Sequence, residues 1–549
     1  LLDLGYEKEL AEFIGFERID LVRREGTGVS TPPGARKKKK KRKPQKSAKP
    51  IGNLAEYTDR DQNYEVRARF TERRRHLYIR FAGTLLFAVL LFIYDMPHLF
   101  GIPGFGALNP DSAPGLYAFF GLQILLLSAV LSFRQMWRGI KRAAAFEADL
   151  YFMPIVLILC NMAYDVLLLS LGGDASPDLF HFVTALYLLF AVGGEILLLG
   201  REEMTFDTVS AEGDRYTLEH TGYNEKDGNI YHVRKTGFLS GTFARIRTET
   251  PLRAISIFSF AAILFSLLMA AGEFILTGDL VKVFSAFMKS LALCLPLSST
   301  AAFTLPQFFM TKELHKHGCA VVGDASVEEY AGEKTVIFRE EDIFRAGSRV
   351  GFSAAGKKKL AEQFRLCGTL FRKIGGTLSS VLDLSLANAA DKEQVVFGEI
   401  GEDGLTATVG ESDAVIGSAA YLSARGIRIP PESAERAYLR KSDCVPLYIA
   451  FDGEVCLILE MTYRIGEATE QMIHELNENG THIGVSVADP CLTAPFVWRL
   501  RRLEPDRIKL CRVTHILGDE SFRSIDGGVS AKRAKDLILP LVACRRLYL

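Results

Sequence analysis

The sequence predicts a membrane α-helical bundle of six spans joined to a cytoplasmic α/β domain, with a small α+β domain inserted into the latter. Three observations predict it. Six apolar stretches, each near the roughly 20 residues a bilayer helix needs, lie at about 77–96, 114–134, 151–172, 179–200, 253–276 and 281–306, grouped as four and then two. Charge is segregated from them into the flanking soluble parts, although 66 basic residues nearly balance 65 acidic ones. That balance carries no nucleic-acid signature. After the last span, short β-branched runs alternate with helical periodicity, which reads as an α/β arrangement.

Residues 1–76 form a polar, basic and largely disordered cytoplasmic tail. Arg36 to Lys43 reads RKKKKKRK between prolines, and such a block repels itself. Three readings compete: a solvated tail, a patch on anionic lipid, and a nucleic-acid arm. The nearby first span favours anionic lipid, each basic residue contributing about 1 kcal/mol near the surface. Thr71 to His76 repeats the basic signal at the membrane edge, and Arg134 to Arg142 is a second basic loop. The loops 97–113 and 173–178 carry no Lys or Arg. The positive-inside rule therefore places the N-terminus, the 135–150 loop, 201–252 and everything after 307 in the cytoplasm. We expect an integral protein of the plasma membrane. The nine cysteines include no CxxC pair and are expected as reduced thiols.

Several polar groups fall within the spans. Cys160, Asn161 and Asp165 lie in the third, Glu195 in the fourth, Glu273 in the fifth, and Lys289 and Cys294 in the sixth. Glu195, Glu273 and Lys289 lie near span ends, where long charged side chains snorkel to the interface. Asp165 is the candidate for an interior charge. Cys160, Cys294 and Asp165 are the candidate metal ligands, since soft metals take thiolates; the competing reading of a span cysteine is a small packing residue. Pro296, within Leu295-Pro296-Leu297, either breaks the sixth span or kinks it.

Residues 201–252 read as a small β-rich piece, barely enough for an independent core. Residues 348–440 read as an insert. Its Gly398–Gly404 patch, the run Leu405–Val409 and Val415-Ile416-Gly417 suggest a hairpin followed by a short helix. Gly401, Gly404 and Gly417 are its candidates for close approach to a nucleotide, against the plainer reading of hairpin turns. In the final segment Val445–Phe451, Val455–Glu460 and Ile483–Val487 read as strands and Glu467–Asn479 as a helix, which implies a parallel sheet. The segment that ties these parts together is Asp324–Gly347. There Thr335-Val336-Ile337-Phe338 reads as a buried strand, ending abruptly in Arg339-Glu340-Glu341-Asp342. A charged cluster at the C-terminal end of an α/β strand is where ligands and catalytic groups sit; the alternative is a solvated turn.

This order of parts resembles the heavy-metal-transporting P-type ATPases over most of residues 77–549. The resemblance is strongest around Cys319–Gly347, where the family has a helix, a strand and then DKTGTLT. It implies a split HAD-like phosphorylation-type domain over 307–347 and 441–549, a nucleotide-binding-like insert over 348–440 and a reduced actuator-like segment over 201–252. The spacing is kept and the chemistry departs. Arg339 stands where the family has its phosphorylated aspartate, and Arg339-Glu340-Glu341-Asp342-Ile343 replaces DKTGT. The TGDN loop reads Val487-Ala488-Asp489-Pro490 and keeps only Asp489. No full GDGxND is recognisable near Gly518-Asp519-Glu520, the adenine-site His-Pro is missing, and no TGE loop is found in 201–252. Leu295-Pro296-Leu297 stands where a copper pump has Cys-Pro-Cys. The family's two closing spans would follow Leu549, so the chain is expected to be a fragment.

Phosphoryl transfer in this family needs a carboxylate nucleophile and magnesium. Arg339 has no lone pair to offer and places positive charge where Mg²⁺ would bind. We expect it to pair with Asp489 in place of the metal. Asp342 is the alternative nucleophile. The resemblance with these departures implies a catalytically inactive pseudo-ATPase with a binding, regulatory or scaffold role and a possible protein partner. No cofactor is certain. The alternative is an ATP-driven cation transporter using non-standard residues, which would take ATP and Mg; a passive channel or small-molecule transporter is a third reading.

Overall fold

The computed structural model describes residues 57, 60–96, 113–144, 149–171, 178–224, 228–247, 253–294, 298–353, 360–381, 394–430, 444–501, 508–513 and 524–548. The expectations for 36–43, 295–297 and 518–520 lie outside the described residues. The chain forms two compact units, a helical one of Tyr57–Ser210 with Ile246–Lys316, and an α/β one that includes Ala211–Arg245 and His317–Leu549.

In the helical unit, five helices are long and apolar enough to cross a membrane: Arg60–Asp95, Pro114–Leu131, Phe152–Ser170, His181–Val209 and Ser256–Thr277. They turn large apolar side chains outward, among them Leu86, Val130, Ile257 and Leu268. Such a surface suits lipid and not water, and the chain is an integral membrane protein. The sixth expected span is not one helix among the described residues. Leu280–Cys294 and Ser298–Lys316 flank 295–297 instead. The first of these has 15 residues, about 22 Å at 1.5 Å per residue, which is short of the roughly 30 Å hydrocarbon core. The expected basic loop is also helical, over Phe133–Ala143, with Gln135, Met136 and Gly139 buried.

The bundle core is built from small and branched residues, including Ala88, Leu91, Leu125, Ala185, Leu188 and Ala191. Small side chains let helices approach closely where no water-driven force separates lipid from protein. Glu195 meets Arg73 at 3.8 Å, Arg138 at 3.6 Å and the Tyr151 hydroxyl at 2.8 Å. The two basic stretches therefore lie at one end of the bundle. Lys289 pairs with Asp178 at 2.5 Å.

The α/β unit contains fifteen described strands. In chain order they are β1 (Arg215–Asn224), β2 (Gly228–Thr236), β3 (Phe238–Ser240), β4 (Ala320–Val321), β5 (Lys334–Arg339), β6 (Phe344–Ser353), β7 (Val395–Ile400), β8 (Gly404–Val409), β9 (Ser412–Gly417), β10 (Cys444–Phe451), β11 (Glu454–Ile465), β12 (Thr481–Val487), β13 (Ile508–Arg512), β14 (Ser524–Asp526) and β15 (Val529–Ala531). One sheet has the order β13-β12-β5-β2-β1-β15-β4. Its first four strands run parallel and the rest antiparallel. The β1–β2 hairpin from 201–252 is thus built into this sheet, with β2 hydrogen-bonded to β5. Fifty residues need no core of their own when they share one this way.

The second sheet is antiparallel, ordered β6-β11-β10-β9-β8-β7. The strands expected at Val445–Phe451 and Val455–Glu460 exist, but they form the β10–β11 hairpin of this sheet rather than part of the parallel one. Their burial explains the misreading. Leu447, Ile449, Leu457 and Leu459 are all fully buried, and a continuous apolar run does not distinguish a parallel strand from a central antiparallel one.

Strand β5 positions the candidate site. Val336, Ile337 and Phe338 are fully buried, each side chain contributing roughly 1.5–3 kcal/mol by leaving water. Register pairs Arg339 with Ser486 on β12. The end of β5 therefore meets the Val487-Ala488-Asp489 turn side by side.

Candidate functional site

Two turns converge where β5 and β12 end. Leaving β5, the chain turns into a short helix, Glu340–Ile343. Because side chains alternate along a strand, Arg339 and Glu340 leave in different directions. Glu340 is the one that enters the interior, at 2% exposure, next to Asp489 at 0%.

Four contacts hold the Glu340 carboxylate. Its Oε2 accepts the backbone N–H of Ala488 at 2.9 Å and of Asp489 at 3.1 Å. Its Oε1 accepts the backbone N–H of Thr377 at 2.9 Å, with the Thr377 hydroxyl at 3.2 Å. Thr377 arrives from a turn made of Gly375 and Gly376, both at positive φ. A Cβ on Gly376 would lie 1.9 Å from Glu340 Oε1, so glycine is required by close approach as well as by backbone conformation.

Asp489 is held separately. Its Oδ2 accepts the Tyr463 hydroxyl at 2.5 Å and the Thr377 hydroxyl at 2.8 Å, and its Oδ1 accepts the Cys491 N–H at 2.9 Å. Arg512 closes the turn from behind, donating to the Asp489 carbonyl at 2.6 Å and the Leu492 carbonyl at 3.1 Å. Thr377 joins the two carboxyl groups, and its single hydroxyl proton serves the nearer one, Asp489.

Burial, and then the Asp489 charge, push Glu340 up to about 8, against the backbone N–H groups that favour its ionised form. Burial likewise raises Asp489. Bridged by the Thr377 hydroxyl, the two carboxyl groups both resist ionisation and titrate as a pair. A proton on Glu340 can be donated to the Thr377 oxygen while Thr377 donates to Asp489.

Arg339 does not pair with Asp489 as expected. It lies 3.0 Å from Glu341 and 3.4 Å from Asp342, and its guanidinium sits over the Tyr216 ring at 5.8 Å. Arg339 turns toward Tyr216 on β1, whereas Glu340 turns toward the Ala488-Asp489 turn after β12. Asp342 is committed to Arg339, and burial raises it to about 6 even though that arginine lowers it.

The other sequence candidates are dispersed. Gly401, Gly404 and Gly417 crowd the Tyr421 ring; a Cβ on Gly404 would lie 2.2 Å from it. Arg425 covers that ring at 3.7 Å and pairs with Glu399 at 2.6 Å. Cys160 packs against an apolar cluster that includes Phe152, Leu157 and Leu291. Cys294 ends its helix exposed, and Asp165 is bonded to His181. Among the described residues, no group of three or more His, Cys, Asp or Glu side chains is arranged to hold a metal.

Thr377, Gly376, Tyr463 and Arg512 were not singled out by sequence reasoning. The one available signal was Gly375-Gly376-Thr377, a glycine pair before a hydroxyl residue, which is a frequent way to present backbone N–H groups to an anion.

No protein-family model and no curated protein matches the chain. Among solved structures, a crystal structure of a zinc-transporting PIB-type ATPase aligns with 84% of this chain and 91% of that chain, at 13% identity and a TM-score of 0.41. A second, of a zinc-transporting PIB-type ATPase in the E2·Pi state, aligns with 78% of each chain, at 12% identity and a TM-score of 0.35. At that overlap neither likeness assigns a role to any residue.

Proposed function

We propose that the chain is a membrane-embedded relative of the heavy-metal-transporting P-type ATPases that has lost phosphoryl transfer and acts as a pseudo-ATPase with a regulatory or scaffold role. The order of its parts supports the relationship: four apolar helices, a short segment, further membrane helices, then an α/β unit carrying an inserted sheet. In this reading both α/β parts face the cytoplasm at the plasma membrane, the basic tract 36–43 meets anionic lipid, and a protein partner receives the signal.

One observation carries the loss of chemistry. The backbone N–H groups of Thr377, Ala488 and Asp489 converge as an anion hole, and the Glu340 carboxyl group already fills it. A transferring phosphoryl group needs such donors free and needs a metal to neutralise its charge. Here the donors are engaged within the chain, and the neighbouring carboxyl group, Asp489, is tied to Tyr463, Thr377 and Cys491.

The test is to incubate the reconstituted full chain with γ-labelled ATP and Mg²⁺. No acid-stable phosphoprotein should form. Label that disappears in an Asp342→Asn variant would overturn the proposal and favour an ATP-driven cation transporter.

A further inference from the structure

At the end of the bundle away from Glu195, three titratable side chains are sealed inside the helices. Asp95 is the last residue of the Asn63–Asp95 helix, His181 the first of His181–Val209, and Asp165 lies on Phe152–Leu171. The His181 ring sits between two carboxyl groups, with Nδ1 3.1 Å from Asp95 Oδ1 and Nε2 2.9 Å from Asp165 Oδ2. The His181 and Asp165 side chains are 0% and 1% exposed, and that of Asp95 is 3% exposed.

The arrangement is built rather than incidental. Asp95 Oδ2 also accepts the Phe182 N–H at 2.8 Å, which fixes it at the helix start. A Cβ on Gly121 would lie 2.8 Å from the imidazole, so the Pro114–Leu131 helix makes room for the ring with a glycine. One atom is left over: Asp165 Oδ1 is buried with no hydrogen-bond partner. One turn earlier on the same helix face, Asn161 Oδ1 is also buried without a partner, while its amide nitrogen donates to Thr184 at 2.6 Å.

With both carboxyl groups ionised, both hydrogen bonds to the ring are complete only when both ring nitrogens carry protons. One imidazolium and two carboxylates then leave a net charge of −1 inside an apolar bundle, which is strongly disfavoured. We propose that the Asp95–His181–Asp165 cluster is a proton-binding site that takes up one proton on Asp165 Oδ1. The proton adds to a lone pair of that oxygen, no bond breaks, and the cluster becomes neutral. A protonated Oδ1 is also a donor, which suits a region whose unpartnered atoms are acceptors. Both ring nitrogens are engaged, so the imidazole offers no free lone pair to a metal.

The other titratable groups facing the cluster are accounted for. Tyr94 and Tyr117 exchange hydroxyl-to-carbonyl hydrogen bonds with each other. Tyr164 lies next to Asp165 in the chain, and Asp178 is paired with Lys289. Proton uptake here is independent of whether the α/β unit handles phosphate.

The test is infrared difference spectroscopy of the full chain in lipid nanodiscs, stepping pH in sodium-free buffer. The wild type should show a carboxylic acid C=O band that shifts when aspartate alone is carbon-13 labelled. It should be lost in Asp165→Asn, and its frequency should move in His181→Gln. Burial also raises Asp149, Asp342 and Asp489, so the labelled band must survive Asn substitution of those three. That chain keeps Asp165 and decides the matter even where Asp165→Asn misfolds. A pH-dependent band that ignores aspartate labelling would overturn the proposal. So would an unchanged spectrum, as expected if a buried water only occupies the site, or a response to added Na⁺ at fixed pH without a carboxylic acid band.

Discussion

Replacing Glu340 with Gln keeps the shape of the side chain and removes its charge. Glu340 is fully buried, and its protonation is shifted from near 4.5 to about 8. Between those values the folded chain holds more protons than the unfolded one, so this group's contribution is full below about pH 4.5 and is lost as pH rises through about 8. The slope is at most about 1.4 kcal/mol per pH unit. From pH 5 to 8 the wild type should therefore lose up to about 4 kcal/mol that Glu340→Gln does not lose. The variant starts at a disadvantage. Its amide nitrogen must face either the Thr377 N–H or the Ala488 and Asp489 N–H groups, and an unpaired buried donor costs about 1–3 kcal/mol. The variant should be less stable at pH 5, with the gap closing as pH rises and the order reversing by about pH 8. Trp137 and Trp498 are the chain's two tryptophans. Urea unfolding in a Trp137→Phe background, followed by Trp498 fluorescence from the α/β unit, would measure both curves. Parallel pH dependences would refute the reasoning.

The same reporter tests four further substitutions. Gly376→Ala forces a Cβ against Glu340 at positive φ and should cost about 2–4 kcal/mol. Tyr463→Phe removes a buried hydrogen bond to Asp489 and should cost about 1–3 kcal/mol, with m-value unchanged. Arg339→Ala should cost under about 1 kcal/mol because the guanidinium is partly exposed and solvent screens its pairs. Arg512→Ala strips two loop carbonyls of their donor and should cost about 2–4 kcal/mol; the reverse order would mean that Arg339 organises the site.

Much of the fold was legible because it rests on local patterns. Five apolar spans and the strand over Thr335–Phe338 declare themselves by composition and length. The sixth span is not confirmed: its residues fall in Leu280–Cys294 and Ser298–Lys316, with 295–297 outside the described residues. The β1–β2 hairpin was visible as strands, but nothing local says that β2 will pair with β5 across a membrane segment of the chain. The site was legible as a place and not as a residue. Spacing put Arg339 at its centre, whereas the fold puts Glu340 there, and no local pattern tells which of two neighbouring side chains faces Asp489. The Thr377, Tyr463 and Arg512 partners come from distant segments that no sequence spacing connects. His181 and Asp95 escaped for another reason: each is a terminal residue of its helix, where a charged group normally meets water.

The Glu340 carboxyl group takes the place of a bound anion at the N–H groups of Thr377, Ala488 and Asp489. Hydrogen–deuterium exchange of segments 374–381 and 485–492, with and without inorganic phosphate, tests this directly in wild type and Glu340→Ala. The account predicts slow, phosphate-insensitive exchange in the wild type, and faster exchange in the variant that phosphate slows again. Phosphate protection of the wild-type chain would contradict it.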